Sequence, residues 1–431
     1  MTGSFGANLR RIRERSGTTL AELAVKINYS KSYLSKIEND LKSPTPDIAR
    51  RCDAVFGTAG LLSALVGPSE ARENGENGES GEDEAWAVVG DAGGEQRFHR
   101  LQHARALPGL GAAPGFPLTG RAAQPAAVDE SVLDGLRAAF GQYRLLGTAS
   151  SPGTVLGPVV AQVNSLRALA VAGQPGPIRE QVLLLASRAT EYAGWMSQEA
   201  GDEAAASWWT HRAVAFAAAG GDHHFASYAL VRQAEIAMYR QDPLSTIDLA
   251  RRAQAARDTG PRIRGLAARC EAQGLALIGD ADGYHRALER ASGLLAERDP
   301  AVPGAPHLGS ASVSDEIAVS HGWSLYDLGR PAEAAEVLDA QVAGIAAGAR
   351  RARARFGARR VLAHAAGGEI EYACALAPAV LEDARYVDSA TIRADLRELA
   401  KVVARWHCHP GVRELRLELG TLLRLKPGYD T

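Results

Sequence analysis

From residue 128 to the C-terminus, apolar runs at helical spacing are broken by short polar turns: AGGDHH at 219–224, RQDP at 240–243, GDADG at 279–283, LGRPAEA at 328–334 and AAGGE at 365–369. Most couple a Gly helix stop with an acidic or Pro helix start, which is how adjacent antiparallel helices are joined. Helix pairs are therefore expected to open near Glu180, Asp222, Arg262, Ser314, Arg351 and Thr391, a recurrence of roughly 40 to 50 residues that marks a repeat architecture. Trp195, Trp208, Trp209, Phe216, Tyr228, Tyr239, Trp323 and Tyr326 stand among alanines, supplying the knobs and holes that stacked helix pairs need. A hydrophobic content of 46% with only 6% aromatics favours helices over a sandwich built on Val, Thr and Tyr.

Composition divides the 431 residues into three zones: a head over 1–67, a linker over 68–127 and a helical-repeat body over 128–431. Within the linker, residues 69–85 carry seven acidic side chains and one Arg, with little to bury, so a flexible tether is expected. The Gly/Pro/Ala-rich stretch that follows contains one apolar patch, AWAVVG, which reads equally as a strand or as a docking segment over Trp86–Gly90. Four scattered cysteines form no CxxC pair, so neither a zinc module nor a disulfide framework is indicated. No run approaches the ~18 apolar residues of a membrane span, and no signal-type apolar segment follows the N-terminus. A soluble cytoplasmic protein is the expectation.

In the head, residues 8–15 read as a first helix with Leu9 and Ile12 inward and Arg10, Arg11, Arg13 and Arg15 outward. Thr19 followed by Glu22 is a capping box opening a second helix whose buried face is Leu20, Leu23 and Ala24. Ser30 caps a third, KSYLSKIEND, with Leu34 and Ile37 inward and Lys31, Ser32, Ser35 and Lys36 outward. Thr45 then caps a fourth helix with Ile48, Cys52, Val55 and Phe56 inward, and a fifth spans 58–65. Short polar side chains on the first turns of a helix can enter a major groove and reach base edges. Ten Lys/Arg against six Asp/Glu over residues 1–66 give the head an excess of four positive charges in a chain whose formal charge is −2, so nucleic-acid contact would be local.

LAELA, YLSKIEN and the Pro-containing loop resemble the Xre/Cro helix-turn-helix family. The resemblance implies a five-helix lambda-repressor-like head in which Arg10, Thr19, Ser30, Lys31, Ser32, Tyr33, Ser35, Lys36, Asn39 and Lys42 contact double-stranded DNA. Arg10, Asn39 and Lys42 are expected on phosphates, and Glu38 falls on the family's acidic helix-end position. Two departures stand out: Leu20 replaces a Gln that touches DNA in some members, and Asp40 replaces the usual turn Gly. A single small head makes few contacts, so a homodimer on a palindromic operator is expected.

LGRPAEAAEVLDAQV resembles the second half of a tetratricopeptide repeat, and the body looks like the long helical regions that follow Xre-type heads in actinobacterial regulators. This implies an all-α chain with a right-handed solenoid body that dimerises and binds a peptide, small molecule or protein effector. Arg232, Gln233, Tyr239 and Arg269 are candidates for that surface on a concave face. A second reading is an interaction scaffold or antitoxin-like partner with autoregulatory DNA binding. No GxSxG, HExxH or GxxxxGK[ST] occurs. His99 with His103, and His407-Cys408-His409, lack further ligands. No cofactor, metal or enzymatic activity is expected.

Overall fold

A computed structural model of the chain describes residues 5–27, 31–39, 44, 46–56, 58, 62, 84–90, 96–102, 128–171, 176–256, 259–297, 308–309 and 312–424. It divides into two compact units, Met1–Glu82 and Asp83–Thr431. Ser30, Lys42, most of the expected fifth helix, the acidic tether up to 83 and residues 103–127 lie outside the described residues.

The first unit contains α1 (Phe5–Arg15), α2 (Leu20–Ile27), α3 (Lys31–Glu38) and α4 (Pro46–Phe56). Leu9, Leu23, Leu34, Ile37, Ile48 and Cys52 are fully buried between them, each large apolar side chain contributing roughly 1.5–3 kcal/mol. α1 starts three residues earlier than the periodicity suggested, because Phe5 and Gly6 are also buried. Leu62, beyond α4, joins this core, and its N–H donates to Asp53 Oδ1 at 2.9 Å.

Helix α2 begins where the capping box places it. The Thr19 N–H and hydroxyl donate to Glu22 Oε2 at 2.8 and 2.9 Å, and the Glu22 N–H donates back to Thr19 Oγ1 at 3.2 Å. These bonds hold the Glu22 carboxyl below its ordinary value. The box's contribution is therefore present above the ordinary Glu value and lost as pH falls through the lowered one. Thr19→Ala is expected to cost the head roughly 1 kcal/mol, checked as faster amide hydrogen exchange across Leu20–Ile27 in the full chain.

Among its described residues the second unit is helical apart from one antiparallel hairpin, β1 (Glu84–Gly90) paired with β2 (Gln96–Gln102), Trp86 opposite Arg100 and Val88 opposite Phe98. Both strands fall inside the stretch read from composition as linker, and β1 lies beside a helix of the body. His99 sits on β2, so it has no helical neighbour at i+4.

Among the described residues, two helices, α5 (Glu130–Gly147) and α6 (Pro152–Val171), precede six pairs. The pairs are α7 (Gly176–Ala200) with α8 (Glu203–Ala219), α9 (Phe225–Tyr239) with α10 (Pro243–Ala255), and α11 (Pro261–Leu277) with α12 (Ala281–Ala296). They continue with α13 (Glu316–Asp327) and α14 (Pro331–Ala343), α15 (Arg350–Gly367) and α16 (Ile370–Val387), then α17 (Ala390–Val403) and α18 (Pro410–Arg424). The turns share one chemistry. Gly201 and Gly279 take φ of 90° and 77°, a region that favours glycine, and the next residue, Asp202 or Asp280, accepts the N–H of Ala205 or Gly283. Gln241 holds the same left-handed place before Asp242 at φ 57°, and Pro243 fills the first helical position.

Buried clusters run along the stack, one through α5 to α8, another through α8 to α11 and a third through α15 to α18. The far end then returns to the beginning. Arg351 N–H donates to Thr148 O at 2.8 Å, and a Cβ on Gly201 would lie 3.3 Å from that of Ala390. α7, packed by α5, α6, α8 and α17, is buried on nearly all sides.

Candidate functional site

In the head, Lys31 and Lys36 are exposed on α3 and Ser35 is half-buried, while Leu34 and Ile37 anchor the opposite face. Lys31 and Ser35 are four residues apart, as are Ser32 and Lys36, so these positions share one side of the helix. Ser32 and Tyr33 occupy α3 at positions whose side chains lie outside the description, as do Ser30 and Lys42 entirely. Thr19 is exposed with its hydroxyl engaged in the capping box. Arg10 is exposed and pairs with Glu14 at 3.1 Å. The Asn39 amide folds back onto its own helix, donating to Ser35 O at 2.7 Å.

Arg13 departs from the sequence reading. Instead of pointing outward it is largely buried, its Nε and Nη2 donating to the two oxygens of Glu38 at 2.6 and 2.8 Å. A third bond, Nη1 to Thr18 O at 3.2 Å, ties the end of α1 to the turn before α2. The family-like acidic residue at the end of α3 is thus the partner that fixes α3 against α1.

In the body, the first helix of each of the first five pairs faces inward with α5, enclosing a cavity of about 510 Å³. Of the four expected effector residues, Arg232, Tyr239 and Arg269 line it. Gln233 does not; it is turned toward α8, with its Nε2 3.2 Å from His211 Nε2. Helical geometry explains the split, since positions 232, 235 and 239 share a face and 233 is a third of a turn away. The wall also includes Trp195, Tyr228 and Trp323, residues first read as packing knobs. Tyr239 and Trp323 lie with centroids 5.6 Å apart.

Six arginines and four glutamates line the cavity. Arg188 pairs with Asp222 behind the wall at 2.7 Å. Arg232 pairs with Glu235, contacts Gln198 Oε1 at 2.7 Å and lies 3.4 Å from Glu191. Arg269 reaches Glu235 at 2.8 Å, and Glu316 takes Arg262 at 3.0 Å. Burial pushes the Glu191 carboxyl above its ordinary value despite the pull of Arg232.

At the closure, Glu199 is fully buried and accepts from Arg351 at 2.7 Å, from Arg355, from Ser389 Oγ at 2.6 Å and from Thr391 Oγ1 at 3.0 Å. Burial alone would raise its carboxyl, but Arg355, Arg351 and the Ser389 hydroxyl pull it down to about 2. Arg351 further donates to Gly147 O and Ser150 O. One carboxylate on α7 therefore joins α15 and α17 to the start of the stack.

The sequence reading missed Arg144, Glu199, Arg351 and Arg355. A signal existed for two: Arg351, Arg355 and Arg359 recur at i+4 on α15 among buried alanines, which places a row of cations on an inward face. Among the described residues, no group of three or more His, Cys, Asp or Glu is arranged to hold a metal, and no helix is long and apolar enough to cross a membrane.

A helix-turn-helix domain model matches residues 4–65. No curated protein matches the chain. A solved structure that matches is the crystal structure of Bacillus thuringiensis PlcR in complex with the peptide PapR7 and DNA, at 8% identity over 98% of this chain and 95% of that one, with a TM-score of 0.29. So low a score leaves the fold resting on the chain's own helices.

Proposed function

We propose that the chain is a sequence-specific DNA-binding transcriptional regulator of Xre type, acting in the cytoplasm as a homodimer on a palindromic operator. Its body holds an effector in the central cavity. The observation that carries the reading is the face of α3 bearing Lys31, Ser35 and Lys36, set on a helix-turn-helix that is capped by Thr19 and braced by Arg13 and Glu38. Exposed basic and hydroxyl groups on such a helix suit the donors and acceptors of the major groove, and two heads one helical turn apart supply the affinity that one lacks. The role proposed for the cavity is binding, without catalysis.

Genome-wide footprinting with the intact protein, followed by Lys31→Ala and Ser35→Ala on the best site, tests the reading helix. Both variants should lose preference for that site, and full retention by both would exclude α3 as the reader. Affinity should fall steeply with salt as phosphate contacts release counterions; a flat response would remove DNA as the ligand.

A further inference from the structure

Among the described residues, the cavity's charges do not balance. Arg232, Arg269 and Arg262 are matched by Glu191, Glu235 and Glu316, and Arg188 by Asp222. Arg351 and Arg355, however, share the single carboxylate of Glu199. Arg144 has no carboxylate within ion-pair distance among the described residues, its one bond being to Gly309 O at 3.1 Å. Behind Trp323, Arg359 sits 2.7 Å from Asp395 and 3.8 Å from Asp327. That group returns at most one negative charge, since two carboxylates face one guanidinium. Among the described residues, at least one positive charge is left over in this aromatic-walled space.

The unused donors are specific. Arg355 directs one Nη to Glu199 and Thr391, has no partner for the other among the described residues, and lies 5.8 Å from the Tyr239 ring. An unmatched cation in a desolvated site is costly and is relieved by a bound counter-charge. The space measures about 510 Å³, within the ~300–1,000 Å³ of small-molecule sites. The return of α15 to α7 walls one side of it, which suits a compact ligand better than an extended chain.

We infer that the cavity binds a compact organic anion with a flat aromatic body, the negative group held by Arg144 and Arg355 and the body lying between Trp195, Tyr239 and Trp323. This deepens the effector reading and rests on it. Offset stacking and cation–π contact supply the apolar attraction, and the arginine excess supplies the sign.

The test uses two probes that share one skeleton, 8-anilinonaphthalene-1-sulfonate and its uncharged counterpart N-phenyl-1-naphthylamine, titrated into the full chain with tryptophan quenching and probe emission as readouts. The sulfonate should bind one per chain and at least tenfold more tightly than the neutral probe. Arg144→Ala should weaken the sulfonate about tenfold, the loss expected for a charge-assisted hydrogen bond, and leave the neutral probe unchanged, while Arg144→Lys keeps part of the affinity. An unchanged tryptophan melt shows each variant folded. Equal binding of the two probes, or a sulfonate affinity indifferent to Arg144→Ala, would overturn the inference. DNA affinity is read with the sulfonate at saturation. An occupied, Arg144-dependent cavity with unaltered DNA affinity would count against the effector reading alone and leave the anion site standing.

Discussion

Glu199→Ala is expected to destabilise the body by roughly 3–5 kcal/mol, the cost of leaving buried cations without their partner. Arg351 is 3% exposed and Arg355 is partly buried beside it, so removal of the carboxylate strands two guanidinium groups and the Ser389 and Thr391 hydroxyls together. All six tryptophans lie beyond residue 82. The tryptophan-fluorescence melt of the full chain therefore reports the body alone, and its midpoint should drop by many degrees. Arg355→Met added to Glu199→Ala should recover part of the loss, because an uncompensated charge is more costly than an absent pair. The latch also has a pH signature. With the folded carboxyl at about 2, below the ~4.3 of a free Glu, its stabilisation is full above the free value and disappears as pH falls toward 2. The gap between the native chain and Glu199→Gln should close over that window. A melt unchanged in Glu199→Ala would mean that the closure is not what holds α15 and α17 to α7.

How far the sequence foretold this arrangement depends on the distance over which each feature is encoded. The Thr19–Glu22 capping box and the turns ahead of Asp242, Asp280 and Pro331 are local, set by four or five consecutive residues, and each stands where it was expected. The closure is not local: Glu199 meets Arg351 across 152 residues and Thr391 across 192, and no spacing rule links them. The same holds for the cavity. Periodicity could have separated Gln233 from Arg232 and Tyr239, but which stripe of α9 turns inward depends on where α13 and α15 come to lie. The hairpin was half legible, since AWAVVG is a short apolar run of strand length, whereas its partner QRFHRLQ carries charges that obscure the strand.

Arg13 and Glu38 set the second large effect, in the head. Four outward arginines, Arg10, Arg11, Arg13 and Arg15, were expected on α1. Instead Arg13 makes a two-point pair with a carboxylate that is 5% exposed, joining α1 to the last turn of the proposed reading helix. Glu38→Ala or Arg13→Ala should remove about 2–4 kcal/mol, somewhat less than for a fully dry pair. That is a large share of the stability of a domain of some sixty residues, given roughly 0.05–0.15 kcal/mol per residue. DNA affinity of the full chain should then fall sharply on warming while the tryptophan melt of the body stays in place. Arg13→Met combined with Glu38→Leu should restore much of the affinity, since an apolar pair of similar volume can replace a buried ion pair. The rival role makes the opposite forecast. If Arg13 served DNA directly and Glu38 only restrained it, Glu38→Ala would free the guanidinium and tighten binding, and the double variant would bind worse than either single one.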